Sequence, residues 1–292
     1  DVLAAFVFCL FMLKDNLNTY LSACNDQELI SWVNKNVFFP CSMVDRITPQ
    51  TSNKLQQELS ELLGSEVYSP IMAEDFSQWV LQDISKGIMP KLENVGVTVT
   101  SDIDPYEETK IRVLNGGHTA LTYLAALEKI PTFDAAMRIP HLLEHFRSFE
   151  INEVLPALKL DLPFSKDEYL EKIEQRFCNE AIGDTVSRIC SDGMAKFPIF
   201  IRPTLEGCFE QGIIPNFALK SIASWHQFCL HVAVGNIDFK YVEPNWEYLK
   251  SIIGTDDFIT CRQLWGDIPT NYPDFIQNLR KEIIEMEKKW PV

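Results

Sequence analysis

Apolar residues recur at helical spacing through Ala120, Leu121, Leu124 and Leu127, and the stretch that contains them predicts a long helix over 105–127. Asp104-Pro105 supplies an N-cap and a first-turn proline, and Glu107 and Glu108 suit the positive end of the helix dipole. The same periodicity predicts helices over 134–147, 167–178, 181–194, 217–234 and 273–289, with prolines between them. The first hundred residues have another character. Leu17 to Val33 is helical in pattern, Val37-Phe38-Phe39-Pro40 reads as a short strand, and a helix over Lys54–Leu63 stops at Gly64. Val67 to Ile71 and Val95 to Val99 read as further strands. Alternation of this kind predicts an α/β layer over residues 1–100, followed by a mostly helical domain over 101–292.

One segment stands apart. Val2 to Leu13 is an unbroken apolar run, shorter than the ~20 residues a bilayer requires. No basic region precedes it, so it is read as a buried strand entering a helix, or as the edge of a fragment.

Composition narrows the field. The chain has 292 residues, 46% hydrophobic and 23% charged, with a formal net charge of −15 spread along its length. Such a surface repels nucleic-acid phosphates and anionic lipid, which argues against both as partners. A small anion would need a locally basic pocket. Eight cysteines lie far apart without a CxxC pair, the usage of reduced thiols in a cytoplasmic protein. A monomer is expected.

The candidate chemistry centres on Lys110-Ile-Arg-Val-Leu-Asn115-Gly-Gly-His118. On an α-helix, at about 100° per residue, Asn115 falls roughly 140° and His118 roughly 80° round from Lys110, so all three share one broad face. An amine of lowered pKa there can take a hydroxyl proton while fixed donors stabilise the alkoxide. Chance placement of three polar residues on a helix is the competing explanation. Elsewhere, His141-Leu-Leu-Glu144-His145 matches the HxxEH pattern of inverted zincins, but no third ligand stands out. A surface histidine pair is the simpler reading there. Arg188 and Lys196 flank Asp192 and read as a surface ion-pair ladder, and Asp45-Arg46 as a loop ion pair. Neither GxGxxG nor GxxxxGK[ST] occurs, and Gly116-Gly117 alone is not a phosphate loop.

Three colinear runs carry a resemblance. They are Ser42-Met-Val-Asp45-Arg46-Ile-Thr-Pro49, Ala73-Glu74-Asp-Phe76-Ser-Gln78-Trp79, and Pro105-Tyr106-Glu107-Glu-Thr-Lys110 continuing to His118. Arg176-Phe177-Cys-Asn179 and Arg188-Ile-Cys-Ser-Asp192-Gly-Met-Ala-Lys196 follow in order. Together they resemble the mannitol dehydrogenase family of polyol-specific long-chain dehydrogenases, over roughly residues 12 to 292. The resemblance implies a Rossmann domain feeding a helical substrate domain, and metal-free hydride transfer between a secondary alcohol and NAD or NADP. By the same resemblance Lys110 is the general base, Asn115 the alkoxide donor and His118 the holder of a substrate hydroxyl. Arg188, Lys196 and Asp45 fall at substrate-contacting positions, and Glu107 matches a carboxylate that passes the proton to solvent.

Two departures qualify this. The family's glycine-rich dinucleotide loop has no counterpart, so the chain reads as the C-terminal remainder of such a protein. The place of a second oxyanion asparagine, counted back from Asp45, falls at Phe6. The expected function is NAD(P)-dependent interconversion of mannitol, or a similar polyol, with its ketose. Three rivals stand beside it: a sugar-acid reductase of the fructuronate or tagaturonate type, a non-catalytic truncated product, and a zinc hydrolase.

Overall fold

The computed structural model describes residues 2–49, 51–66, 69–84, 89–160 and 164–292, with side chains from Leu13 onward. It divides into two compact units, Asp1–Thr48 with Ala73–Glu107, and Pro49–Met72 with Glu108–Val292. The segment 49–72, read from sequence with the first domain, thus packs into the second unit.

The first unit is α/β. Its opening helix, Val2–Cys24, is helical from the start, where a strand was expected over the apolar run. Leu17–Val33 is two helices, because Asn25 turns left-handed at φ 53°. Asp26 then caps Gln27–Asn36 by accepting the Leu29 N–H at 2.9 Å. The Val37–Pro40 run does not pair as a strand: the Val37 N–H closes the preceding helix on Val33, and Pro40 has no N–H to give. Pairing begins at β1 (Ser42–Asp45), antiparallel to β2 (Gln78–Gln82), which runs parallel to β3 (Thr98–Thr100). The strand expected over Val95–Val99 is a 3₁₀ turn over Leu92–Val95 followed by β3. Of the strand expected at 67–71, Val67 and Tyr68 lie outside the described residues and 69–71 are not extended ladder.

The register explains why two of the sequence runs recur together. Asp45 faces Gln78 and Met43 faces Val80 across the ladder, and Trp79 donates to the Ser42 hydroxyl at 2.9 Å. Buried Glu74 accepts the Ile47 N–H at 2.6 Å, while Arg46 donates to the Glu74 carbonyl at 2.9 Å. Met43, Val80 and Ile103 form the core beneath.

The second unit is helical. Its helix Asn53–Leu63 is capped by Ser52 and stopped by Gly64 at φ 63°, as the sequence indicates. The central helix is Gly116–Leu127, with Ala120, Leu121, Tyr123 and Ala125 fully buried. Pro140–Phe149 and Asn216–Ala233 pack on it, and Pro273–Lys289 covers the latter. Two expected helices are broken. Pro140 starts a new helix after Phe133–Met137, and 181–194 holds only the short turn Val186–Ile189 and the start of another, Gly193–Lys196. Gly183 at φ 56° and Asp192 at φ 61° account for the second break.

Three π-helical segments interrupt this bundle, at Lys110–Asn115, Glu150–Val154 and Phe197–Ile201, and the first packs on the other two. In each, a backbone N–H reaches the carbonyl five residues back, as from Gly116 to Ile111. Gly116 and Gly117 permit the approach. A β-carbon on Gly117 would meet a Phe146 ring carbon at 2.7 Å and a Glu150 carboxylate oxygen at 2.8 Å. Gly117→Ala is therefore expected to cost ~1–3 kcal/mol. At about 2–4 °C per kcal/mol, scanning calorimetry reads this directly, and an unchanged melt would mean the crossing relaxes freely.

Candidate functional site

The sequence-derived trio begins on the first π segment. Hydrogen bonding to the fifth residue replaces the assumed 100° step, so Asn115 sits one turn above Lys110 rather than well round the helix from it. Lys110 is 5% exposed. Arg112, on the same segment, is fully engaged: it donates to the Thr204 hydroxyl at 3.1 and 3.2 Å and pairs with Glu108 at 3.2 Å. Asn115 contrasts with it. Its carbonyl accepts from the Thr119 hydroxyl at 2.9 Å, but among the described residues its carboxamide has no hydrogen-bond partner. The His118 ring nitrogens likewise have none among the described residues.

Aromatic rings fix His118 in place. Its ring stacks on Phe177 at 4.0 Å and meets the edge of Phe133 at 4.6 Å. Burial pushes its pKa well below the usual histidine value, and the charges of Arg188, Lys196, Arg176 and Lys110 push it further. The imidazole is thus neutral at physiological pH, a hydrogen-bonding group and not a cation. Four basic side chains thus act within electrostatic range of one histidine in a strongly acidic chain.

Arg176 is the member that sequence reasoning missed. It was visible within Arg176-Phe177-Cys-Asn179, and its helical spacing from Phe177 gave no sign that it would be buried beside His118. Proximity of this kind comes from packing between helices.

Two turns deliver Arg188 and Lys196. Thr185 accepts the Arg188 N–H at 3.3 Å, and the Tyr123 hydroxyl holds the Cys190 carbonyl at 2.8 Å. Asp192, left-handed at φ 61°, turns the chain into Gly193–Lys196. No side chain larger than glycine fits at 193, since a β-carbon there would lie 2.5 Å from the Trp225 indole nitrogen. The Lys196 ammonium donates to the Ile189 carbonyl at 2.8 Å, and burial draws its pKa down to about 8. The surface ladder expected for these residues is not what forms. Arg188 pairs instead with Asp184, four residues earlier. That pair lines a cavity of about 430 Å³ together with Thr51, Ser52, Asn53 and Thr185.

Asp45 and Glu107 belong to the first unit, Asp45 being 1% exposed at the end of β1. Phe6 lies on the first helix, among residues whose side chains are outside those described.

The HxxEH histidines part company. Exposed His141 pairs with Glu128 at 2.9 Å, whereas buried His145 contacts the Ser221 hydroxyl at 3.0 Å, its pKa lowered by burial to about 3. Among the described residues no three His, Cys, Asp or Glu side chains are grouped to hold a metal ion. His226 accepts the Gly254 N–H at 2.9 Å in the core. Cys24, Cys41, Cys178, Cys190, Cys208, Cys229 and Cys261 are free thiols. Among the described residues no helix is long and apolar enough to cross a membrane.

Comparison with known proteins agrees on one group. The family model for the mannitol dehydrogenase C-terminal domain matches residues 102–287, and that for the mannitol dehydrogenase Rossmann domain matches residues 10–94. A mannitol 2-dehydrogenase of Cereibacter sphaeroides is 35% identical over 256 residues, covering 86% of this chain and 54% of the relative. A D-arabinitol 4-dehydrogenase of Ralstonia nicotianae is 30% identical over 261 residues, covering 87% of this chain and 56% of the relative. A Pseudomonas fluorescens mannitol 2-dehydrogenase, solved as a ternary complex with NAD and D-mannitol, superposes with a TM-score of 0.80 at 32% identity. That match covers 92% of this chain and 56% of the other. The chain spans about half the length of the curated relatives it matches.

Proposed function

The chain belongs to the mannitol dehydrogenase family, and from that premise we propose that it carries the substrate-binding and proton-transfer side of a polyol dehydrogenase. The reaction is the NAD(P)-dependent interconversion of mannitol, or a similar polyol, with its ketose. One observation carries this reading. Buried Lys110 shares a π turn with Asn115, whose carboxamide has no partner among the described residues, and lies within electrostatic range of a neutral His118.

In this proposal Lys110 takes the proton of the reacting hydroxyl. Asn115 donates to the oxygen as negative charge develops, where a fixed donor is worth more than water because it needs no reorganisation. His118, held between two phenyl rings, orients a substrate hydroxyl. Arg188 and Lys196 bind further hydroxyls, Asp45 contributes at the active site, and Glu107 passes the proton to solvent. The polyol relatives and the mannitol-bound neighbour support the substrate class. The match to the family's Rossmann domain model and the NAD held by the mannitol-bound neighbour support a nicotinamide dinucleotide as the hydride acceptor. The chemistry assigned to this chain's own residues is that of the alcohol.

Arg176 favours a second reading. An additional buried cation beside His118 is what a sugar-acid reductase would use to hold a carboxylate. Isothermal titration of the purified chain with D-mannitol, D-arabinitol and their ketoses, with and without NAD⁺, tests the proposal. Micromolar-to-millimolar binding of at least one neutral ligand is expected, and a folded chain that binds none of them sinks it.

Lys196 gives the binding a pH signature. Its folded pKa of about 8 lies below the ordinary lysine value, so its ammonium is present below pH 8 and lost above it. Polyol affinity is expected to fall as pH rises through about 8, and Lys196→Met should remove that limb. The sign for folding is opposite. The penalty for burying the charge is present in full below pH 8 and disappears as pH rises towards the ordinary lysine value.

A further inference from the structure

The Arg188 guanidinium is the cation that meets the cavity, yet its charge and one edge of its fork are already answered. Its Nε donates to Asp184 Oδ1 at 2.6 Å and one terminal nitrogen donates to Asp184 Oδ2, a two-point pair. The side chain of Arg188 is 42% exposed and that of Asp184 only 6%. The remaining terminal nitrogen, Nη1, makes no hydrogen bond among the described residues. A bare guanidinium binds a carboxylate through two parallel hydrogen bonds, but this one has given that geometry to the protein's own carboxylate. What is left for a ligand is three N–H groups on a pair with no net charge, which suits a hydroxyl better than a carboxylate.

Asp184 is firmly placed to do this. Its carbonyl accepts the Phe133 N–H at 2.9 Å, and Thr132 bridges Thr185 next to it. The Phe133 ring at that junction also meets His118 edge-on. Asp184 and Arg188 are thus locked onto the same short piece of chain that walls the imidazole.

We propose that Asp184 is a specificity-determining residue: by occupying Arg188 it makes this end of the site accept a terminal CH₂OH and disfavour a terminal carboxylate. The inference rests on the reading of Arg188 as a substrate contact. It accounts for how a cavity lined by Arg188 can serve a neutral polyol: the cation there is answered by a buried anion.

The test compares D-mannitol with D-mannonate, which differ only in the terminal group, by isothermal titration of the full chain. Asp184→Asn keeps the shape and removes the charge, freeing the guanidinium. It is expected to shift the mannonate-to-mannitol affinity ratio towards mannonate by about 10–100-fold, the worth of a charge-assisted hydrogen bond. Adding Arg188→Met to Asp184→Asn should abolish that gain. If the Asn variant does not fold, Asp184→Ser gives the same readout with a smaller side chain. An unchanged ratio with both ligands still binding overturns this inference and leaves the polyol reading standing. A gain that survives the double substitution also overturns it, because the carboxylate is then held elsewhere. A wild-type chain that binds neither ligand removes both.

Discussion

Lys110→Met is expected to lower the kcat of polyol oxidation by ~10²–10⁴-fold, the range a positioned general base supplies. Methionine fills similar space without the amine, so the loss reports proton transfer and not a collapsed helix. Lys110 is 5% exposed, so a side chain of similar length and volume keeps the packing around it. The fold should be retained while the rate falls. Initial rates of NADH formation with D-mannitol, alongside a melting curve for each protein, check both halves. Substrate affinity should change little, since the alcohol is also held by Asn115, His118, Arg188 and Lys196. A variant that keeps the wild-type rate would falsify the assignment of Lys110 as base, and a variant that merely unfolds would show as a lowered melt.

The second large effect is on stability. Trp225 is fully buried, stacks on Phe197 at 4.3 Å with 14° between the planes, and closes against Gly193. Phe197 opens the third π segment, so the indole supports that segment and the Asp192–Lys196 turn together. Trp225→Ala removes a large apolar surface and leaves a cavity that the surrounding rings of Tyr123, Phe197 and Phe258 cannot fill. The expected cost is ~3–5 kcal/mol. Chemical denaturation should show an earlier midpoint with an unchanged slope. Because Lys196 stands on the affected turn, polyol affinity should drop as well. A cost below that of a surface substitution would mean the ring stack carries little of the packing.

Much of this was legible in the chain, for reasons that differ from place to place. The Asn53–Leu63 helix announced itself through Ser52 and Gly64, and Pro273–Lys289 through its periodicity, because both depend on nearby residues. The pairing of the Ser42–Asp45 and Gln78–Gln82 runs was hidden, since neither alternates strongly and β2 is only five residues long. The 181–194 helix was overread: an apolar pattern continues across Gly183 and Asp192, but two left-handed residues end any helix. The trio around Lys110 was singled out from residue types and spacing, while the widened turn on which it begins was not foreseen. A sequence offers no sign that a helix will widen, because the widening follows from Gly116 and Gly117 crossing under Phe200, Phe146 and Glu150. The surroundings of Arg176 and Asp184 were out of reach for the same reason: their neighbours are supplied by folding.

The widened turn at Lys110–Asn115 has one more residue than a regular helix would use. Re-registering the same residues as a regular helix, with none deleted, would absorb that extra link into the ladder. The chain upstream would then swing by about 100° about the axis relative to everything after Gly116. The amine would leave its companion amide although every named side chain was still present. The nearness of the two groups is stored in an extra link of backbone, and it could be lost with no change of side chain.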